Sequence, residues 1–308
     1  MYSCGMEIAT GVHCIDVGYE GRPDAIAAGA LETGDGVIIV DPGPASCLPG
    51  LRTGLAAMGF SVRDITAVLL THIHLDHAGG TGTLVSENPD IRVFVHERGA
   101  RHVIDPSRLL ASALRVYGDA LPALFGDVVP VPDTCVTAMV GGETVEPGRR
   151  RVRVEYAPGH ASHHVAWLDE QTGTAFVGDT AGERFAPSSF VLPVTPPPDI
   201  DLERWQQTMA VLRELNAERL FITHFGVFAD VERHLDEHDT RLGEWAAAVR
   251  RSLDEPGTDQ ERADRFEADV TASLVSQVGE HEAALYAHGG MHDSWYGLAR
   301  YWRARRRE

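Results

Sequence analysis

His72-Ile73-His74-Leu75-Asp76-His77 places three imidazoles and one carboxylate within six residues. Neutral imidazole and carboxylate are borderline-to-hard donors that suit zinc, iron or manganese. In an extended segment side chains alternate, so His72 and His74 point to one side. A turn after His74 can then aim Asp76 and His77 at a second ion close by. The segment follows the apolar run 65–70 and so stands at the end of a buried strand. Histidines scattered by chance through a polar loop would not cluster in this way.

Rigid elements must hold such a segment. Residues 25–31 and 37–40 are two strand-like runs joined by Glu32-Thr33-Gly34-Asp35-Gly36, the pattern of a hairpin. Residues 48–58 have helical spacing, Gly79-Gly80-Thr81-Gly82 opens a further helix, and 92–96 reads as a strand. Residues 98–127 change character. Pro106-Ser107, followed by Leu109, Leu110, Ala113, Leu114 and Tyr117, predicts a helical insertion between strands, placed to act as a flap. Strands are expected at 152–156, 165–168 and 174–177, a helix at 202–215 and a final strand at 220–222. Beyond about residue 230 only helical patterns remain, over 231–253, 259–278 and 295–306. The expected organisation is a layered α/β unit over 1–230 and a helical C-terminal extension over 231–308 packed on it.

Composition narrows the chemistry. The 308 residues carry 27 basic and 45 acidic side chains, a net charge of −18, and every basic residue is arginine. With no lysine there is no Schiff-base, Walker A or kinase lysine. The acidic balance argues against nucleic acid as a partner. Cys4, Cys14, Cys47 and Cys135 form no C-x-x-C pair, which argues against a disulfide framework and points to a reducing, cytoplasmic location. No run approaches the ~20 apolar residues of a membrane span. No basic stretch followed by an apolar run of about 7–15 residues marks a signal peptide. Arg149-Arg150-Arg151 and Arg305-Arg306-Arg307 read as solvated surface.

The histidine segment resembles the H-x-H-x-D-H signature of the metallo-β-lactamase superfamily, and the resemblance extends along the chain. Pro158-Gly159-His160 follows a predicted strand 88 residues after His72. Gly178-Asp179 follows another 19 residues later, and Thr223-His224 ends a third after 45 more. Asp41, after the run 37–40, matches the family's early aspartate. The likeness covers roughly residues 8–230 and is nearest to the glyoxalase II-like hydrolases.

The resemblance implies an αββα sandwich of two mixed β-sheets flanked by helices, with metals at one edge. It implies one ion held by His72, His74 and His160, a second by Asp76, His77 and His224, and Asp179 bridging them. Asp41 supports the ligands from behind. Zinc is the first choice of metal, with iron or manganese as alternatives. The implied reaction is attack of a bridging hydroxide on an ester, thioester, lactone or amide carbonyl of a small molecule, with Asp76 placed to orient the nucleophile or pass a proton. Tyr117, His163 and Phe225 are candidate substrate contacts, although for Tyr117 packing of the insertion is the favoured role. A one-iron, persulfide dioxygenase-like oxidoreductase is the alternative, disfavoured because all seven dinuclear ligands are present. A non-catalytic metal-binding protein is the third reading. Homodimerisation is left open.

Overall fold

The computed structural model describes residues 5–306, so Cys4 and Arg307 lie outside it. Seven strands form one sheet in the order of the chain: β1 (Met6–Ala9), β2 (Val12–Asp16), β3 (Ala27–Glu32), β4 (Val37–Val40), β5 (Ile65–Leu69), β6 (Arg92–His96) and β7 (Val136–Met139). The first four pair antiparallel, and β4 to β7 run parallel. The second sheet contains β8 (Thr144–Val145), β9 (Val152–Tyr156), β10 (Val165–Asp169), β11 (Thr174–Phe176), β12 (Arg219–Ile222) and β13 (Gly226–Phe228), with β11 and β12 as its one parallel pair. The expected final strand at 220–222 is therefore followed by one more, β13.

Side-chain alternation explains the layering. On β4, Ile38 and Val40 face the second sheet, where they meet Trp167, Phe176 and Phe221. Val37 and Ile39 face outward against the first helical layer. That layer contains α1 (Leu48–Ala57), α2 (Leu75–Ala78), α3 (Thr81–Glu87) and α4 (Glu97–Ile104). The insertion continues with α5 (Ser107–Tyr117) and α6 (Leu121–Phe125), held by a small cluster of Leu75, Ala113, Leu121 and Phe125. The outer face of the second sheet is covered by α7 (Leu202–Glu214), α8 (Val231–Ser252), α9 (Asp259–Ala283) and α10 (Met291–Arg305). These helices share one hydrophobic cluster with that sheet, centred on Trp205, Trp245 and Trp295. The architecture is an αββα sandwich. Trp167 Nε1 donates across the sheets to Leu70 O at 3.0 Å, beside the histidine segment.

Arg150 corrects the expectation of a solvated basic run. It is 4% exposed, and its guanidinium donates to Thr10 O and Gly11 O, closing the far end of the sandwich. Among the described residues no helix is long and apolar enough to cross a membrane.

Candidate metal centre

Strand ends deliver every member of the site. β5 runs into Thr71–His74, and α2 carries Asp76 and His77. His160 follows β9, Asp179 follows β11, and His224 follows β12. Two glycines make these bends possible. Gly159 has φ +142°, and a Cβ there would stand 2.4 Å from Trp205. Gly178 has φ +48°, and a Cβ would meet Thr71 Oγ1 at 2.5 Å and His164 Nε2 at 2.7 Å.

The seven expected side chains converge in two sets. His72, His74, His160 and Asp179 place one donor atom each within 4.8 Å of one another, as do Asp76, His77 and His224. Asp179 faces both. Its Oδ2 lies 3.4 Å from His160 Nε2 and 3.8 Å from His72 Nε2. Its Oδ1 lies 3.1 Å from His77 Nε2 and 3.6 Å from His224 Nε2. Asp76 Oδ2 closes the second set, 3.4 Å from His224 Nε2 and 3.6 Å from His77 Nε2.

The outward ring nitrogens show that these residues fit cations. His160 Nδ1 lies 2.9 Å from Val194 O and His224 Nδ1 lies 3.0 Å from Ala25 O. A carbonyl only accepts, so both Nδ1 atoms carry hydrogen and Nε2 is the atom each ring turns to the site. Burial lowers His160, whose neutral ring leaves Nε2 bare. Burial opposes charge on His224, but Asp179, Asp76 and Glu183 raise it to about 9. Thr71 Oγ1 donates to Asp41 Oδ2 at 2.6 Å and so accepts from His72 Nδ1 at 3.1 Å, which bares His72 Nε2 as well. His72 Nε2 and His160 Nε2 both crowd His74 Nδ1, at 2.9 and 3.0 Å. One N–H on His74 cannot satisfy two lone pairs, whereas a cation among the three nitrogens can. In the second set, His77 Nε2 and Asp179 Oδ1 are buried without a hydrogen-bond partner.

Electrostatics follow the same division. Burial, reinforced by His77 and His74, pushes His72 well below the ordinary imidazole range and keeps it neutral. Burial and His160 bring His74 down to about 4. Burial opposes charge on Asp179, yet His77, His160 and His224 hold its carboxyl well below the usual value. Burial likewise opposes charge on His77, but Asp179, Asp76 and Asp41 raise it.

Asp41 stands behind the centre. Its Oδ1 accepts from Thr71 N at 2.8 Å. Its Oδ2 accepts from Thr71 Oγ1, from His77 Nδ1 at 2.9 Å and from Thr223 Oγ1 at 3.3 Å. Carboxylate support of this kind fixes the ring orientation and tautomer of a ligand.

The site opens into a cavity of about 1070 Å³ whose walls include parts of the insertion and the start of α10. Tyr117 and His163 line it, and Tyr117 also packs edge-on to Phe125 at 4.9 Å. Phe225 does not line it. The residue is 2% exposed and packs between the sheets with Phe176 and Phe221, because the chain turns directly from His224 into β13. Sequence reasoning left His164 open and missed Thr71, Thr223 and Trp205. Asp179 N donates to His164 Nε2 at 3.3 Å. Trp205 packs edge-on to His160 at 5.9 Å and donates to Thr180 O. The repeated Thr-His dipeptide, at 71–72 and 223–224, was an available signal for the threonines.

The family model of the metallo-beta-lactamase superfamily matches residues 21–224. A metallo-beta-lactamase fold-containing protein of Sulfurisphaera tokodaii is 28% identical over 193 residues, 61% of this chain and 71% of that protein. A hydroxyacylglutathione hydrolase of a Methylobacterium species is 30% identical over 149 residues, 47% of each chain. An atrochrysone carboxyl ACP thioesterase of Aspergillus fumigatus is 26% identical over 58% of this chain and 44% of its own length. The matches thus span about half the length of the latter two relatives. Among solved structures, a metallo-beta-lactamase family protein of Thermus thermophilus superposes with a TM-score of 0.68 at 22% identity, covering 97% of this chain and 95% of its own. The family match, over about two thirds of the sequence, and the αββα sandwich agree: the chain belongs to the metallo-beta-lactamase superfamily.

Proposed function

We propose that the protein is a dinuclear metal-dependent hydrolase of small-molecule esters, thioesters, lactones or amides. The observation that carries the reading is Asp179, whose two oxygens face one donor set each. His72, His74 and His160 would hold one ion, Asp76, His77 and His224 the other, and Asp179 both. Zinc suits this donor set, as iron or manganese would. Bound there, the ions would supply Lewis-acid polarisation of a carbonyl and lower the pKa of water at the site. The chain's own contribution is positioning. Asp76 lines the cavity, and its side chain keeps 30% exposure, so it can accept a hydrogen bond from water or a proton bound for the leaving group. Leu75, Ile73 and Phe185 make the adjoining wall apolar and limit competing water. Relatives named as a hydroxyacylglutathione hydrolase and a thioesterase support acyl chemistry.

Metal analysis of the purified protein, coupled to a panel of esters, thioesters, lactones and amides, tests the reading. Two ions per chain and chelator-sensitive hydrolysis are expected, both lost in His74→Ala and Asp179→Ala. One iron per chain with oxygen uptake on a persulfide would overturn it. So would full metal content with no turnover on any substrate.

A further inference from the structure

The cavity contains a carboxyl that neither donor set uses. Glu183 lines it half-buried, and among the described residues its side chain meets no arginine, N–H or hydroxyl. Burial raises the carboxyls of both Asp16 and Glu183. Asp16 is compensated, since Gly18 N and Asp24 N each donate to it at 2.9 Å. Glu183 has no such donor. Burial lifts it to about 7, with His224 opposing and Asp179 and Asp76 adding to the rise.

Want of a cation nearby is not the reason. Arg184 is the next residue, and it is committed elsewhere. Its Nη1 donates to Asp230 Oδ1 at 2.8 Å, its Nε donates to Ser188 O at 3.0 Å, and its guanidinium lies 4.1 Å from the centre of the Phe228 ring. The backbone is pinned as well. Glu183 N and O both bond Leu192, at 2.8 Å each, after a bend at Gly182 with φ +74°. Gly289 leaves the carboxyl uncovered, for a Cβ there would stand 3.2 Å from Glu183 Oε2.

The other acids on the cavity that lie outside the donor sets differ. Asp199 accepts from Ser162 N at 2.8 Å, Glu97 is exposed, and Asp293 lies beside His292. Asp24 Oδ1 is sealed from solvent and cannot meet a ligand. Glu183 is the one of these acids that ranks among the groups raising His224, so its charge is felt at the metal centre. The wall beside it suits a cation. From Leu285 to Tyr296 it carries no arginine, and the chain has no lysine. Phe185 and Tyr296 add aromatic rings, whose faces attract cations. A half-buried carboxylate without a partner is costly, and a charged donor removes that cost.

We propose that Glu183 is a substrate-recognition residue, and that the substrate bears an ammonium group, held by Glu183, in addition to its scissile carbonyl. The inference deepens the hydrolase reading and rests on it for that carbonyl alone.

Binding of hydroxamates tests the assignment without turnover. A hydroxamate chelates metal, and its chain stands where the acyl group of a substrate would. Probes of graded chain length, ending in an amine, a hydroxyl or a methyl group, are titrated calorimetrically into the metal-loaded protein. At the best length the amino probe should bind about tenfold more tightly than the methyl probe, the worth of one charge-assisted hydrogen bond. The hydroxy probe should gain about threefold. Glu183→Met should abolish both margins. Glu183→Gln keeps a neutral acceptor and should bring the amino probe level with the hydroxy probe. Metal content and affinity for the methyl probe should stay parental in both variants. Equal binding of amino and methyl probes at every length, or a margin that survives Glu183→Met, overturns the assignment. A hydroxy probe that matches the amino probe in the parent overturns the ammonium. Loss of an ion in either variant makes Glu183 a support of the metal centre and overturns the recognition role. A silent ester panel with the amino margin intact would overturn the hydrolase reading and leave that role standing.

Discussion

Replacing Asp41 by asparagine isolates the polarity of one carboxylate at the centre of the site. Asp41 is 1% exposed and has φ +48°, a left-handed conformation that asparagine tolerates. Shape and backbone are therefore preserved, and only the acceptor count changes. The carboxylate accepts four hydrogen bonds: two from Thr71, one from His77 Nδ1 and one from Thr223 Oγ1. An amide offers one oxygen and one NH2. If its oxygen keeps Thr71 N–H, its NH2 faces the two hydroxyls and His77. Hydroxyls can reverse their role. His77 can comply only by moving its proton to Nε2, the nitrogen 3.1 Å from Asp179 Oδ1 that must stay bare to hold a cation. Loss of such support typically costs about 10–100-fold in metal affinity, and here the cost should fall on the set of Asp76, His77 and His224. The lost charge-assisted hydrogen bond should also cost the metal-free fold about 1.5–3 kcal/mol.

Metal per chain after dialysis against a buffered chelator reads the first effect, and urea unfolding of the chelator-treated protein reads the second. The expected result is a fall from two ions to one at a chelator strength that leaves the parent loaded, with an earlier urea midpoint. Asp41→Ala should be less stable still, since alanine adds about 1–2 kcal/mol of left-handed strain. An asparagine variant that keeps both ions at parental affinity would refute the argument that Asp41 sets the His77 tautomer.

Gly178→Ala should lose metal and unfold earlier, because its methyl group would press on Thr71 Oγ1 and His164 at a φ of +48°; parental metal content and thermal midpoint would count against this. Phe125→Ala should raise KM more than it lowers metal content, since Phe125 ties the insertion to Leu75 beside the site, at a cost of about 3–5 kcal/mol; unchanged kinetics on every substrate would remove any role of the insertion in substrate binding. His238 is fully buried with both ring nitrogens unpartnered, and burial, then His234, Arg241 and His160, bring it down to about 3. Its folded value lies below the unfolded value of 6.5, so the unfolded chain takes up the proton first and stability falls as pH drops through the window from 6.5 toward 3. His238→Phe should remove about 2 kcal/mol of the stability lost between about pH 7 and 5, and a urea series with parallel pH profiles for both proteins would sink the assignment.

The parts of the fold legible in the sequence were those with a strong local period. The run 37–40 is buried on both faces and reads as a strand without help from its neighbours, and Arg92–His96 and Val152–Tyr156 emerged with their full bounds. The strands β1, β2, β7, β8 and β13 were not legible. Four of them, β1, β7, β8 and β13, are short edge strands with a single neighbour, whose existence depends on that pairing more than on their own pattern. β2 lies between β1 and β3, and its Val12–Asp16 has no alternation to mark it. Arg150 is the clearest case of a residue whose environment lies elsewhere, since its partners Thr10 and Gly11 are 140 and 139 residues away. Nothing in Arg149-Arg150-Arg151 distinguishes the middle arginine as the buried one.

At the site, the residue types announced the chemistry, but not which neighbours would hold them. Asp41 was legible because it ends a strand, whereas its task became visible only when β5 and β12 were seen to finish beside it. Each strand ends in threonine followed by histidine, and both hydroxyls meet Asp41 Oδ2. The repetition has a physical reason. A threonine hydroxyl can bond the carboxylate while the next residue, one step round the alternation, points into the metal centre. Phe225 shows the converse: one residue beyond His224, the same alternation carries the ring into the core between the sheets, so nearness in sequence to a ligand predicts the opposite of nearness to substrate.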